Sequence, residues 1–183
     1  TYAAMIGISY RLDCNITHRE DNDASGIGMR LEDHEANAYY QRLWADWLQN
    51  NPHIEVSGQS LAKDLDIIET THLCAAGHTY CYIDSVGTVH PCPSYQRPIG
   101  SIREQSFAEI WQDSNFLARL RAMTHGKLKG CEGCGDKGFC TFCPGDARNE
   151  GIDRDEGFGQ YDRGCHNAKL NREAFESVVL AKP

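Results

Sequence analysis

The stretch CEGCGDKGFCTFC, residues 131–143, places four cysteines in one short run broken by three glycines. The pairs Cys131–Cys134 and Cys140–Cys143 both have the form Cys-x-x-Cys. A turn with that spacing can aim two thiols at one centre while its N–H groups donate to the sulfurs and offset their charge. A chain built this way folds around whatever the sulfurs hold. The sequence has nine cysteines in 183 residues. The number is odd and no secretory leader is read, so metal binding explains them better than a disulfide framework does. Eight of the nine fall in the second part of the chain: Cys74, Cys81, Cys92, Cys131, Cys134, Cys140, Cys143 and Cys165. They suffice for two four-sulfur sites. Four thiolates in a tetrahedral arrangement denote zinc or iron–sulfur, and spacing alone does not choose between them.

The rest of the sequence is that of an ordinary soluble protein, with 40% hydrophobic and 24% charged residues. A net charge of −8 argues against a nucleic-acid partner. With no apolar run long enough to span a bilayer, no membrane segment is expected and the expected location is the cytoplasm. Residues 5–12 alternate like a strand, and 13–30 read as a loop. A helix is predicted from an N-cap at Asp33, with a core-facing stripe of Tyr40, Leu43, Trp44, Trp47 and Leu48. Asn50-Asn51-Pro52 ends it. A second short helix is expected over Gln59–Asp66. Residues 78–92 predict a β-hairpin whose turn, Asp84 to Gly87, suits a type I turn with a glycine bulge. Ser106 and Glu109 form a capping-box pattern. Asp113 or Ser114 restarts the helix, with a face of Phe116, Leu117, Leu120 and Met123 running toward Gly126. Residues 131–165 read as turn-rich, and about 166–181 as a final helix.

Residues 74–165 resemble the SPASM domain, the auxiliary-cluster domain at the C-terminus of many radical S-adenosylmethionine enzymes. Cys74 is followed by Gly87, then by TVHP and Cys92; Cys131, Cys134 and Cys140 follow at the family's x2 and x5 spacings, then Cys143 and Cys165. YIDSVGTVHPC and IGSIREQSFAEIWQDSNFLARLR also resemble the family's text. Two departures stand out. Cys143 follows Cys140 by two intervening residues where the commoner spacing is three, and Cys81 is additional.

The resemblance implies two interleaved [4Fe–4S] clusters. Cys74, Cys92 and Cys143 would hold the first, with Cys81 as fourth ligand or, equally compatible with strand alternation, a small buried thiol. Cys131, Cys134, Cys140 and Cys165 would hold the second. Cys14 lies outside the pattern and reads as an isolated structural thiol. The expected fold is α+β: a small β-hairpin with helices and loops wrapped around two clusters (residues 71–183), preceded by the end of a partial β/α barrel and a bridge (residues 1–70). The clusters are expected to stand in for a core, because the glycine-rich region looks too poor in apolar residues.

The Cys-x3-Cys-x2-Cys triplet that binds the S-adenosylmethionine-cleaving cluster does not occur. S-adenosylmethionine and a third [4Fe–4S] cluster are therefore expected only in a longer parent enzyme, of which this chain is read as a C-terminal fragment, inactive by itself. The resemblance points to a peptide- or protein-maturing parent. Its partners would be a peptide or protein substrate, the remainder of the barrel and a flavodoxin- or ferredoxin-type reductant. Pro93 stands where sulfatase-maturing members carry a proton-accepting aspartate, which disfavours formylglycine formation. No catalytic residue is assigned. Two further readings stay open: a zinc-bound structural or interaction module, and a stand-alone two-cluster electron carrier. His78, His90, His125, His166 and Arg148 are noted as residues that could border a cluster.

Overall fold

The computed structural model describes residues 5–7, 14–19, 21, 23–54, 67–151 and 156–180. The strand expected over 5–12 and the helix expected over Gln59–Asp66 fall mainly outside them. The described part is α+β, with one small antiparallel sheet and several helices. A short 3-10 turn, Ser25–Met29, interrupts the predicted loop.

Helix α1 spans Asp33–Asn50. Its cap is Glu32, one residue before the predicted one. Glu32 and Glu35 close a reciprocal capping box, with the Glu32 N–H donating to the Glu35 carboxylate at 3.0 Å. Asp33 and Glu35 also place negative charge at the positive end of the helix dipole. The buried seam differs from the predicted stripe. Ala36, Tyr40 and Trp44 line it, whereas Leu43 points outward. The reason is the partner helix, α5 (Asp162–Phe175), which offers Leu170 and Ala174 and so selects an i, i+4, i+8 row. The Trp44 indole N–H donates to Asn171 at 2.8 Å, and its ring meets Phe175 edge-on with centroids 4.9 Å apart.

The predicted hairpin forms from β1 (Tyr82–Ile83) and β2 (Thr88–His90), and β3 (Gly100–Ser101) extends it in the order β1-β2-β3. Tyr82 faces His90, and Val89 faces Ile83 on one side and Gly100 on the other. The Asp84 carboxylate accepts N–H groups from Thr88 at 2.8 Å and Val86 at 3.0 Å. Gly87 sits at φ +90°, the left-handed position that the bulge requires. These N–H groups, with Thr88 foremost, pull the Asp84 carboxyl down to about 2. A carboxyl lowered in the folded state contributes stability above its unfolded pKa, and that contribution fades as pH falls toward the folded value. The Tm advantage of the parent over Asp84→Asn should therefore be constant above about pH 5 and shrink between about pH 4 and pH 2. A difference independent of pH in thermal unfolding would refute this account.

Helices α2 (Phe107–Asp113) and α3 (Asn115–Ala122) follow. The Ser106–Glu109 capping box forms as predicted, and Ser114 starts α3 by accepting the Leu117 N–H at 3.3 Å. Phe116, Leu117 and Leu120 then enter a core with Leu73, Ala76, Tyr95, Leu128, Phe142, Ala147, Phe158 and Tyr161. The Tyr95 hydroxyl donates to the carbonyl of Glu156. The cysteine-rich half thus has an apolar core of its own, contrary to the expectation that clusters would replace one. The aromatic residues that build it are scattered between glycines with no periodicity, which hid them. Cys92 lies within this core, and Cys74, Cys131 and Cys140 pack against its edge.

Candidate metal centre

The cysteines collect in two groups on that core. In the first, Cys92 starts a tight turn in which the Tyr95 N–H returns to the Cys92 carbonyl at 3.1 Å. Its sulfur receives the N–H groups of Ser94 and Tyr95. Cys143 is the residue before helix α4 (Pro144–Asn149), and the N–H groups of Asp146 and Gly145 in the first turn point at its sulfur. Cys74 receives the Ala76 N–H. Cys74 acts electrostatically on Cys92, and Cys92 on Cys143, so the three thiols form one neighbourhood. Burial is the main cause that pushes all three thiols up, Cys143 to about 12. Backbone donors around each sulfur are what a thiolate needs once a metal removes its proton.

The second group shares a pocket of about 50 Å³ lined by Cys131, Cys134, Cys140 and Cys165. Gly133, at φ +68°, closes the turn that brings the Cys134 N–H to the Cys131 carbonyl at 3.3 Å. The 3-10 turn Lys137–Phe139 carries the chain to Cys140. Cys165 belongs to the first turn of α5, where its N–H donates to the Tyr161 carbonyl at 3.0 Å. The sequence reading began this helix at 166 and missed that placement. The four thiols act on one another: burial first, then Cys131, Cys165 and Cys134, push Cys140 up to about 12. Among the described residues, no three His, Cys, Asp or Glu side chains are grouped closely enough to hold a single ion. The chemistry of both donor sets, several thiols faced by backbone N–H groups on a packed apolar edge, fits a thiolate-bound iron–sulfur group.

Cys81, the residue before β1, is half-buried, and burial pushes its thiol up. Cys14 meets the Tyr40 hydroxyl at 3.3 Å beside the α1–α5 seam, which gives it a packing role. Of the histidines, only His125 lines the four-cysteine pocket. His90 faces Asp84 at 3.3 Å, His166 faces Asp33 at 2.7 Å, and the His78 ring lies 4.4 Å from that of His72. The Arg148 guanidinium sits 5.9 Å from the Tyr95 ring centre. Sequence reasoning missed Lys137, which also lines the pocket and pairs with Glu69. Sixty-eight positions separate the two residues, and no pattern joins them in the sequence.

The described part is thus a small α+β core with two groups of thiols on it. Residues 74–135 match the model of SPASM, an iron–sulfur cluster-binding domain. Curated relatives include an AdoMet-dependent heme synthase of Methanosarcina barkeri, 39% identical over 70 residues, covering 38% of this chain and 20% of the relative. Another, of Oleidesulfovibrio alaskensis, carries the same name and is 32% identical over 77 residues, with the same two coverages. A third, of Nitratidesulfovibrio vulgaris, is 33% identical over 64 residues, covering 34% of this chain and 17% of the relative. The chain therefore matches about one fifth of the length of these relatives. No solved structure matches it. Among the described residues, no helix is long and apolar enough to cross a membrane.

Proposed function

We propose that the chain is the C-terminal, auxiliary-cluster region of a radical S-adenosylmethionine enzyme. In this reading Cys131, Cys134, Cys140 and Cys165 hold one [4Fe–4S] cluster, and Cys74, Cys92 and Cys143 hold another. The observation that carries it is the shared pocket of the four cysteines, which come from two elements separated by helix α4. A bound cluster would supply one-electron chemistry, or an iron open to substrate at the three-cysteine site. The chain's own part is to present thiols, to aim N–H groups at the sulfurs and to keep Cys140 and Cys143 away from water. S-adenosylmethionine, its cluster and the rest of a barrel would come from the remainder of the enzyme, with a flavodoxin- or ferredoxin-type protein as reductant.

The substrate class has two readings. The sequence resemblance pointed to a peptide- or protein-modifying parent. The three relatives, each named a heme synthase, favour a tetrapyrrole-modifying parent instead. Turnover assays of the parent enzyme with a tetrapyrrole and with a peptide separate the two.

Metal content tests the proposal itself. Anaerobically reconstituted protein should hold about eight irons and eight sulfides per chain, about four of each per [4Fe–4S] cluster, with a broad brown absorbance. Cys81→Ala decides between the two readings of that thiol: a lowered content makes it the fourth ligand of the first group, and an unchanged content makes it a packing thiol. A colourless protein with one or two zincs would replace the proposal with a zinc module.

A further inference from the structure

Lys137 is nearly buried, 7% exposed, and its side chain lines the four-cysteine pocket. Its ammonium pairs with the Glu69 carboxylate, which is 44% exposed. Glu69 belongs to a helical turn over residues 67–70 that the chain fastens in place. The His125 N–H donates to the Thr71 carbonyl at 3.2 Å, and His72 bridges to Thr124. Gly126 makes the approach possible: a Cβ there would lie 2.4 Å from a Glu69 carboxylate oxygen and 2.8 Å from its carbonyl.

Stability alone does not account for this arrangement. Removing an ammonium from water costs several kcal/mol, and a half-exposed carboxylate returns only part of that. The other charged groups at the pocket are matched or lie at its rim. Asp136 is answered by Arg172, whose Nε lies 2.5 Å from its carboxylate, and Glu132 is exposed. Among the described residues lining the pocket, Lys137 is the one lysine or arginine, and its charge acts on Cys131. Four thiolates around an iron–sulfur group bring net negative charge into this space, and a buried cation then has its counterpart.

We infer that Lys137 is a fixed positive charge that sets the reduction potential of the second cluster, with Glu69 holding it in place and partly cancelling it. This inference rests on the cluster reading above. Adding an electron makes the cluster more negative, so a nearby cation stabilises the reduced form and raises the potential. Removing the carboxylate while keeping the ammonium must act in the opposite direction.

The test is a redox titration of the reconstituted full chain, followed by electron paramagnetic resonance. The second cluster's signal is identified as the one lost in Cys165→Ala. Lys137→Met should lower that cluster's midpoint by 59 mV or more, a tenfold or larger change in the reduced-to-oxidised ratio for a one-electron couple. Lys137→Arg should stay near the parent value, and Glu69→Gln should raise it. The first cluster's signal should not move in any variant. Unchanged midpoints with full iron content would overturn the inference and leave the cluster reading intact. So would a fall in Glu69→Gln, which decides the matter even if Lys137→Met fails to load iron. Absence of iron from the parent protein would overturn both.

Discussion

Cys165→Ala should remove about half of the iron from the reconstituted protein, from about eight to about four per chain, and leave the rest of the structure standing. Cys165 is exposed on the first turn of α5, where alanine is the best helix former, so the metal-free variant loses no packing. Its sulfur is nevertheless the one that α5 contributes to the four-cysteine pocket. Without it, Cys131, Cys134 and Cys140 remain on one loop segment, untied from the helix. Cys14→Ala, the control, should keep its iron. Iron and sulfide analysis, with circular dichroism of the metal-free forms, gives the comparison. Full iron in Cys165→Ala would contradict the assignment of the second group, and total loss would show that the two groups load as one.

Gly145→Ala should do to the first group what Cys165→Ala does to the second, without touching a cysteine. A Cβ at this position would lie 2.3 Å from the Ser94 carbonyl oxygen and 2.8 Å from its carbon, so backbone must move. Gly145 is the second residue of α4, and Ser94 is in the turn that begins at Cys92. The clash drives apart the two elements that carry Cys143 and Cys92. Gly157 also approaches α4 closely, since a Cβ there would be 2.2 Å from the Pro144 oxygen, so the helix is packed tightly at its start. Overpacking of this kind costs about 1–3 kcal/mol. The expected result is loss of about four irons together with a lowered Tm. Gly135→Ala, where an added Cβ meets nothing within 4 Å, should change neither. Full iron in Gly145→Ala would show that the approach of α4 to the 92–95 turn does not govern the first group.

Some of this was legible in the sequence because spacing carries it. The Cys131–Cys134 turn, the Asp84–Gly87 turn and the Ser106–Glu109 cap are local patterns, and each formed, whereas Cys140 and Cys143 went to different groups. The placements that failed depend on distant partners. Helix α5 begins at Asp162 because Tyr161, buried at 3% exposure, anchors its start in the core; Gly164 and the lack of a capping side chain obscured that start. The α1 seam shifted to Ala36 because α5 presents small residues opposite it. Strand β3 is two residues long and pairs through Gly100, which has no side chain to mark it; an added Cβ there would lie 2.8 Å from Ile110. Lys137 reads as a solvated residue in a cysteine loop until the turn at 67–70 is placed beside it.

Helix α5 decides where this chain can be cut. Its start carries Cys165, and its later turns rest on α1 through Leu170, Ala174 and Phe175. Asn171 joins the two regions, accepting from the Trp44 indole at 2.8 Å and donating to the Phe139 carbonyl, next to Cys140, at 2.9 Å. A fragment trimmed to begin after residue 70 would bare that apolar stripe and invite self-association. The family-matched stretch 74–135 is shorter still and stops before Cys140, Cys143 and Cys165. The smallest severable piece with both thiol groups and a covered helix therefore has to retain α1, although α1 contributes no sulfur.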